Sequence, residues 1–144
     1  MSDKKLVIDA SVVAKIFFKE EVGENADGLL DLHLDLHAPL LLVYEFSSVL
    51  TSWVRRKLAT ADEAKQIRLG FRQLDLEFHH SNTLLDEAFE VALNTGLAIY
   101  DATYIALADQ LNVPLLTADQ RLTNALAQSR YAVATRSIAD LVAD

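Results

Sequence analysis

Apolar runs too short for helices, each followed by a longer stretch with helical periodicity, recur along this chain and leave few folds open to it. Leu6 to Asp9, His37 to Leu40, Leu76 to His79, Val113 to Thr117 and Tyr131 to Ala134 have strand length. Between them, apolar residues recur at helical spacings in Val12 to Phe18 behind Ser11 as a cap, Glu24 to Leu34, Leu41 to Lys57, Ala61 to Leu74, Leu84 to Thr95 closed by Gly96, Asp101 to Leu111 and Leu122 to Gln128. Thr60 with Glu63 and Ser137 with Asp140 have capping-box spacing, the second pair opening a terminal helix. Strands alternating with helices pair in parallel through right-handed crossovers. The expected fold class is therefore α/β, a three-layer α/β/α arrangement with a mainly parallel central sheet. At 144 residues the chain has material for one core and too little for two, so residues 1–144 are expected to form a single domain.

Composition narrows the function. A hydrophobic share of 51%, with only four glycines and two prolines, excludes a disordered chain. A net charge of -8 argues against coating nucleic acid through general basicity, so any contact with RNA has to be local. The absence of cysteine removes disulfides and thiolate metal sites, and is compatible with a reducing cytosol. Met1 to Lys5 is charged and runs straight into a strand-like segment without an apolar export region, and the longest uncharged stretch, Val91 to Tyr100, is roughly half a membrane-spanning length. A soluble, cytoplasmic protein is expected.

Four acids stand in apolar company. Asp9 ends Leu-Val-Ile-Asp, Glu45 follows Leu-Leu-Leu-Val-Tyr, Asp101 follows Leu-Ala-Ile-Tyr and Asp119 follows Leu-Leu-Thr-Ala. Asp9 and Asp119 fall just past the carboxyl ends of strands, where open parallel sheets hold their ligands. Glu45 shares a helical face with Leu41, Leu42 and Val49, and Asp101 with Leu97, Ile105 and Ala108, so both are expected to turn inward. Two ionised carboxylates about 6 Å apart repel by roughly 3 kcal/mol at an effective dielectric near 20. The six pairs of such a cluster would rival a domain's whole stability of about 5 to 15 kcal/mol. The cluster must take up protons or hold a cation, and with only oxygen ligands Mg2+ or Mn2+ fits best. Such an ion activates water and neutralises charge developing on a phosphodiester, which points to phosphate-ester hydrolysis. Taken singly, each acid has a plainer reading: Asp9 and Asp119 as helix caps, Asp101 at a helix dipole, Glu45 paired with an arginine.

With these residues in place the sequence resembles the PIN-domain family, in particular its VapC-type toxins. The resemblance runs nearly end to end and is carried by Val7-Ile8-Asp9-Ala10-Ser11-Val12-Val13-Ala14-Lys15, Tyr44-Glu45-Phe46, Tyr100-Asp101-Ala102-Thr103-Tyr104-Ile105-Ala106-Leu107-Ala108 and Leu116-Thr117-Ala118-Asp119. It implies that Asp9, Glu45, Asp101 and Asp119 are catalytic and metal-binding, with Ser11 and Thr117 as accessory hydroxyls. It also implies Mg2+ or Mn2+ as cofactor, an RNA substrate cut at a phosphodiester bond, a homodimer and a cognate antitoxin. Some relatives carry a further acid two residues beyond the last aspartate, where this chain has Arg121, which bears on whether a second metal binds.

Other residues are weighed beside these. Lys15 follows Ser11 by one helical turn and is a further accessory candidate. Lys65, Arg68 and Arg72 share a helical face and Arg55, Arg56 and Lys57 end a helix; either set suits a phosphate backbone, though a solvated face is the simpler reading. His33 and His37 lack the glutamate placement of a zinc-protease helix, and His79 and His80 stand at the end of a strand, so no zinc role is read from them. Phe46, Val49 and Trp53 are read as core or dimer-contact residues. Two other functions compete with a nuclease. A PIN-like scaffold without catalysis is one. A phosphoryl-accepting receiver or phosphatase domain is the other, and it usually opens with neighbouring acids, whereas Asp9 is followed by Ala10 and Ser11.

Overall fold

The computed structural model describes residues 5–18 and 33–142. The helix expected from Glu24 to Leu34 lies almost wholly outside the described residues. Among the described residues five strands form one wholly parallel sheet: β1 (Lys5–Ile8), β2 (Asp35–Pro39), β3 (Leu76–His79), β4 (Leu115–Leu116) and β5 (Thr135–Arg136), ordered β3-β2-β1-β4-β5. The described helices are α1 (Ala10–Phe17), α2 (Leu41–Arg55), α3 (Ala61–Arg72), α4 (Asn82–Thr95), α5 (Ile99–Leu111), α6 (Gln120–Ala127) and α7 (Ile138–Val142). The α/β class and the parallel sheet agree with the sequence reading.

β1 is the middle strand because Leu6, Val7 and Ile8 are apolar in succession and all buried, as a strand covered on both faces requires. α5 is its counterpart among the helices. Every residue from Ala102 to Ala108 is buried, so the middle of the helix has no solvent face, and the helix packs on β1, β2, β4 and α4. A second packing centre joins α1, α2 and α3. Phe46 lies with its ring centroid 5.7 Å from Phe17 and 5.0 Å from Phe71, and meets Trp53 edge-on at 6.4 Å. Phe46 and Trp53 are thus core residues, and they bury large aromatic surfaces in that corner.

Three local expectations need correction. Ser11 does not cap α1; Asp9 does, accepting from the Val12 amide while Ser11 sits in the first turn. The strand expected over Val113 to Thr117 has a ladder of only Leu115–Leu116, because Pro114 has no amide to donate and contributes only its carbonyl, which accepts from Val7 N at 3.0 Å. The strand expected over Tyr131 to Ala134 falls instead at Thr135–Arg136: Tyr131 and Val133 pack on the core from a loop, and pairing begins where β4 offers partners. Both capping boxes form as read, Thr60 with Glu63 and Ser137 with Asp140. No single helix among the described residues is long and apolar enough to cross a membrane.

Candidate active site

The chain runs from β1 to β2 and β3 on one side, then returns to β4 and β5 on the other, so the strand order reverses between β1 and β4. Backbone diverging in both directions from that point leaves a crevice at the strands' carboxyl ends. Asp9 is the first residue past β1 and Thr117 the first past β4, so both rims of the crevice carry residues singled out from sequence.

Asp9 is 6% exposed and held on both carboxylate oxygens. Ser11 Oγ donates to Oδ1 at 2.6 Å, Val12 N to the same oxygen at 3.2 Å, and Thr117 Oγ1 donates to Oδ2. Each hydroxyl is in turn set by backbone: Ala118 N donates to Ser11 Oγ at 2.9 Å and Asp119 N to Thr117 Oγ1 at 3.0 Å. The loop after β4 is therefore clamped to the carboxylate after β1. Burial raises the Asp9 carboxyl above its ordinary range; the bonds from Ser11, Thr117 and Val12 oppose this, and the charge of Asp119 adds to it.

Glu45, in the second turn of α2, is half-buried and accepts from the Tyr104 hydroxyl of α5 at 2.5 Å. Burial raises its carboxyl too, offset by that hydrogen bond and reinforced by the charges of Asp101 and Asp9. Tyr104 is pushed far above the ordinary phenol range, by burial first and then by Glu45, so it remains a donor. Asp101, in the first turn of α5, and Asp119, the cap of α6, are bridged by Arg121, whose Nη2 lies 2.8 Å from Asp101 Oδ2 and 3.3 Å from Asp119 Oδ2.

These couplings join all four acids: Asp9 feels Asp119, Glu45 feels Asp9 and Asp101, and Arg121 ties Asp101 to Asp119. The plain reading of Asp9 and Asp119 as caps is also true, since capping is what fixes each carboxylate at the crevice. Glu45 and Asp101 turn inward only in part, each half-buried rather than enclosed. Lys15 makes no ion pair with any of the four. Tyr104 and the bridging role of Arg121 escaped the sequence reading. Tyr104 lies three residues after Asp101, a spacing that stacks the two on one helical face and was the available signal; no local pattern announces the Arg121 bridge.

The donor set suits a hard divalent cation. The four carboxylates supply only oxygen, and exposed Arg121 is the cation that the described residues bring against two of them. Serine and threonine hydroxyls beside Asp9 hold its carboxylate in place, the outer support that metal-binding carboxylates require.

Comparison with known proteins bears on the family. A PIN domain family model matches residues 6–126. Ribonuclease VapC3 of Pyrobaculum aerophilum is 36% identical over 120 residues, 82% of this chain and 92% of that protein. Among solved structures, VapC20 of Mycobacterium tuberculosis, described as a sarcin-ricin loop cleaving toxin, superposes with a TM-score of 0.63 at 15% identity, over 89% of this chain and 98% of that one. VapBC2 of Rickettsia felis, bound to a DNA fragment from its promoter, gives a TM-score of 0.65 at 14% identity, over 92% and 98% of the two chains. A match of this extent, on a fold that brings its acids to one crevice, establishes that the chain belongs to the PIN domain family.

Proposed function

We propose that this chain is a metal-dependent endoribonuclease that hydrolyses RNA phosphodiester bonds, the toxin of a toxin–antitoxin pair, acting in the cytoplasm as one domain. The convergence of Asp9, Glu45, Asp101 and Asp119 on the strand-order reversal carries this reading. The name and extent of the Pyrobaculum aerophilum ribonuclease match support it.

In this reading the four carboxylates would hold Mg2+ or Mn2+, and that ion would supply an activated water and neutralise charge building on the phosphoryl oxygens. The chain's own residues do the positioning. Ser11 and Thr117 keep both oxygens of Asp9 aligned, and Tyr104 fixes one oxygen of Glu45, so neither carboxylate has to reorganise as the reaction proceeds. Arg121, exposed beside Asp101 and Asp119, would in this reading meet a phosphate of the RNA backbone. With a net charge of -8, such local cations have to do the work of attraction.

Two partners belong to the same reading. An antitoxin follows from the VapBC and FitAB assemblies among the fold's neighbours. A homodimer is supported by α4, where Leu85, Phe89 and Leu93 recur one helical turn apart and are all exposed, an apolar stripe that a lone chain leaves in water.

The test is cleavage of RNA by purified protein with and without divalent metal. Cutting is expected only with Mg2+ or Mn2+, and Asp101→Asn is expected to abolish it while circular dichroism shows an intact fold. Metal-independent cutting by that variant rejects the mechanism.

A further inference from the structure

A second cluster of ligand-type side chains sits apart from the four acids, toward the β3 edge of the sheet. β3 is the edge strand and β2 its neighbour, with His37 in register with Glu77 and Pro39 with His79. Parallel pairing puts partnered residues on one face, and alternation along each strand keeps Asp35, His37, Glu77 and His79 together there. His37 Nδ1 and His79 Nε2 are 2.9 Å apart, and Glu77 Oε2 lies 3.6 Å from each of them.

We propose that His37, Glu77 and His79 form a binding site for a borderline transition-metal ion of the Zn2+ class, distinct from the carboxylate crevice and unassigned by membership of the family. Three observations carry this. First, ligands about 2.0 to 2.1 Å from a tetrahedral Zn2+ stand about 3.3 Å from one another, and the separations of 2.9, 3.6 and 3.6 Å bracket that value. Second, the other nitrogen of His37, Nε2, lies 3.0 Å from Asp35 Oδ1, the outer carboxylate that metal-bound histidines commonly have. That contact does not have hydrogen-bond geometry, so this buried Nε2 is left without a hydrogen-bond partner in the metal-free arrangement. Third, access is graded as a metal site needs: His37 is 3% exposed and fixed, while the Glu77 side chain is 66% exposed and leaves an open side for an entering ion and a fourth ligand from water.

The chemistry balances without redox change. With its Nε2 proton toward Asp35, neutral His37 offers the Nδ1 lone pair. His79, which otherwise donates its Nε2 proton to that atom, presents Nε2 to the ion by moving its proton to Nδ1. Two imidazoles and one carboxylate select Zn2+, Co2+ or Ni2+ over Mg2+, the reverse of the all-oxygen crevice. Coordination also ties the edge strand to its neighbour, so binding stabilises the fold.

The site stands whether or not the acid cluster cuts RNA, and its test is built to keep the two apart. The full chain carrying Asp101→Asn and Asp119→Asn, freed of metal by chelation, is titrated with Co2+ and then Zn2+. One equivalent of Co2+ is expected to give the strong visible absorption of a low-coordinate nitrogen–oxygen site, and Zn2+ to bleach it and raise the melting temperature. Adding His79→Ala is expected to weaken Zn2+ binding at least tenfold, and Glu77→Gln, a milder change, to weaken it measurably should His79→Ala not fold. Zn2+ affinity unchanged by both substitutions, or Co2+ binding that disappears with the crevice acids alone, overturns the proposal.

Discussion

Asp9 bears desolvation that its three hydrogen bonds only partly offset, and Glu45 bears a lesser form of the same cost. Both carboxyls are raised in the native state, so over the window from the ordinary carboxylate range up to their raised values the folded chain holds protons that the unfolded chain has lost. Their contribution to stability is present below that window and is lost as pH rises through it. In chelated protein the melting temperature is expected to fall on that account toward neutral pH, less in Glu45→Gln than in the parent, and Mn2+ is expected to restore it. An equal fall in both proteins would remove Glu45 from the explanation. Arg121 sets a second expectation. It occupies the outer oxygens of Asp101 and Asp119, so Arg121→Ala frees two of the proposed ligands and should tighten Mn2+ binding about two- to fivefold by calorimetry, the worth of an exposed ion pair. Weaker binding would mean that the arginine organises the acids rather than competing for them.

Two helices begin at the crevice, and their caps are site acids. Asp119 accepts from the amides of Arg121 and Leu122 at 3.0 and 3.3 Å, so its charge and its capping oxygen can be separated by substitution. Asp119→Asn keeps a capping oxygen, whereas Asp119→Ala keeps none. The alanine variant should be about 1 kcal/mol less stable than the asparagine variant in urea unfolding, with both inactive on RNA. Equal stabilities would show that the cap contributes nothing. At the far end of α4, Gly96 closes the helix at φ 75°, with nothing near the place a Cβ would occupy. Gly96→Ala therefore meets only backbone strain, expected at about 1 kcal/mol, and an unchanged denaturation midpoint would contradict that cause. Gly96 was readable as a stop because the left-handed cap favours glycine whatever packs around it.

At the scale of the molecule, the α4 stripe gives the proposed dimer its test. Phe89 is 57% exposed and central to the stripe, so Phe89→Glu is expected to turn a dimer into a monomer in sedimentation without unfolding it; a dimer that survives the substitution would place the interface elsewhere. The same scale divides what could be read early from what could not. The succession of short apolar runs and periodic segments determined the α/β class and the parallel pairing, because each segment's pattern reports its own burial and needs no knowledge of its neighbours. The anomalous company of Asp9, Glu45, Asp101 and Asp119 marked them for the same reason, and Ser11 and Thr117 came with them through the family's pattern. The tertiary structure alone decided the short ladder of β4, the place of β5, the Tyr104–Glu45 bond, the Arg121 bridge and the meeting of His37 with Glu77 and His79. Each of those depends on the register or packing of segments far apart in the chain, and a one-residue change of register would send the side chains of a strand to the opposite face.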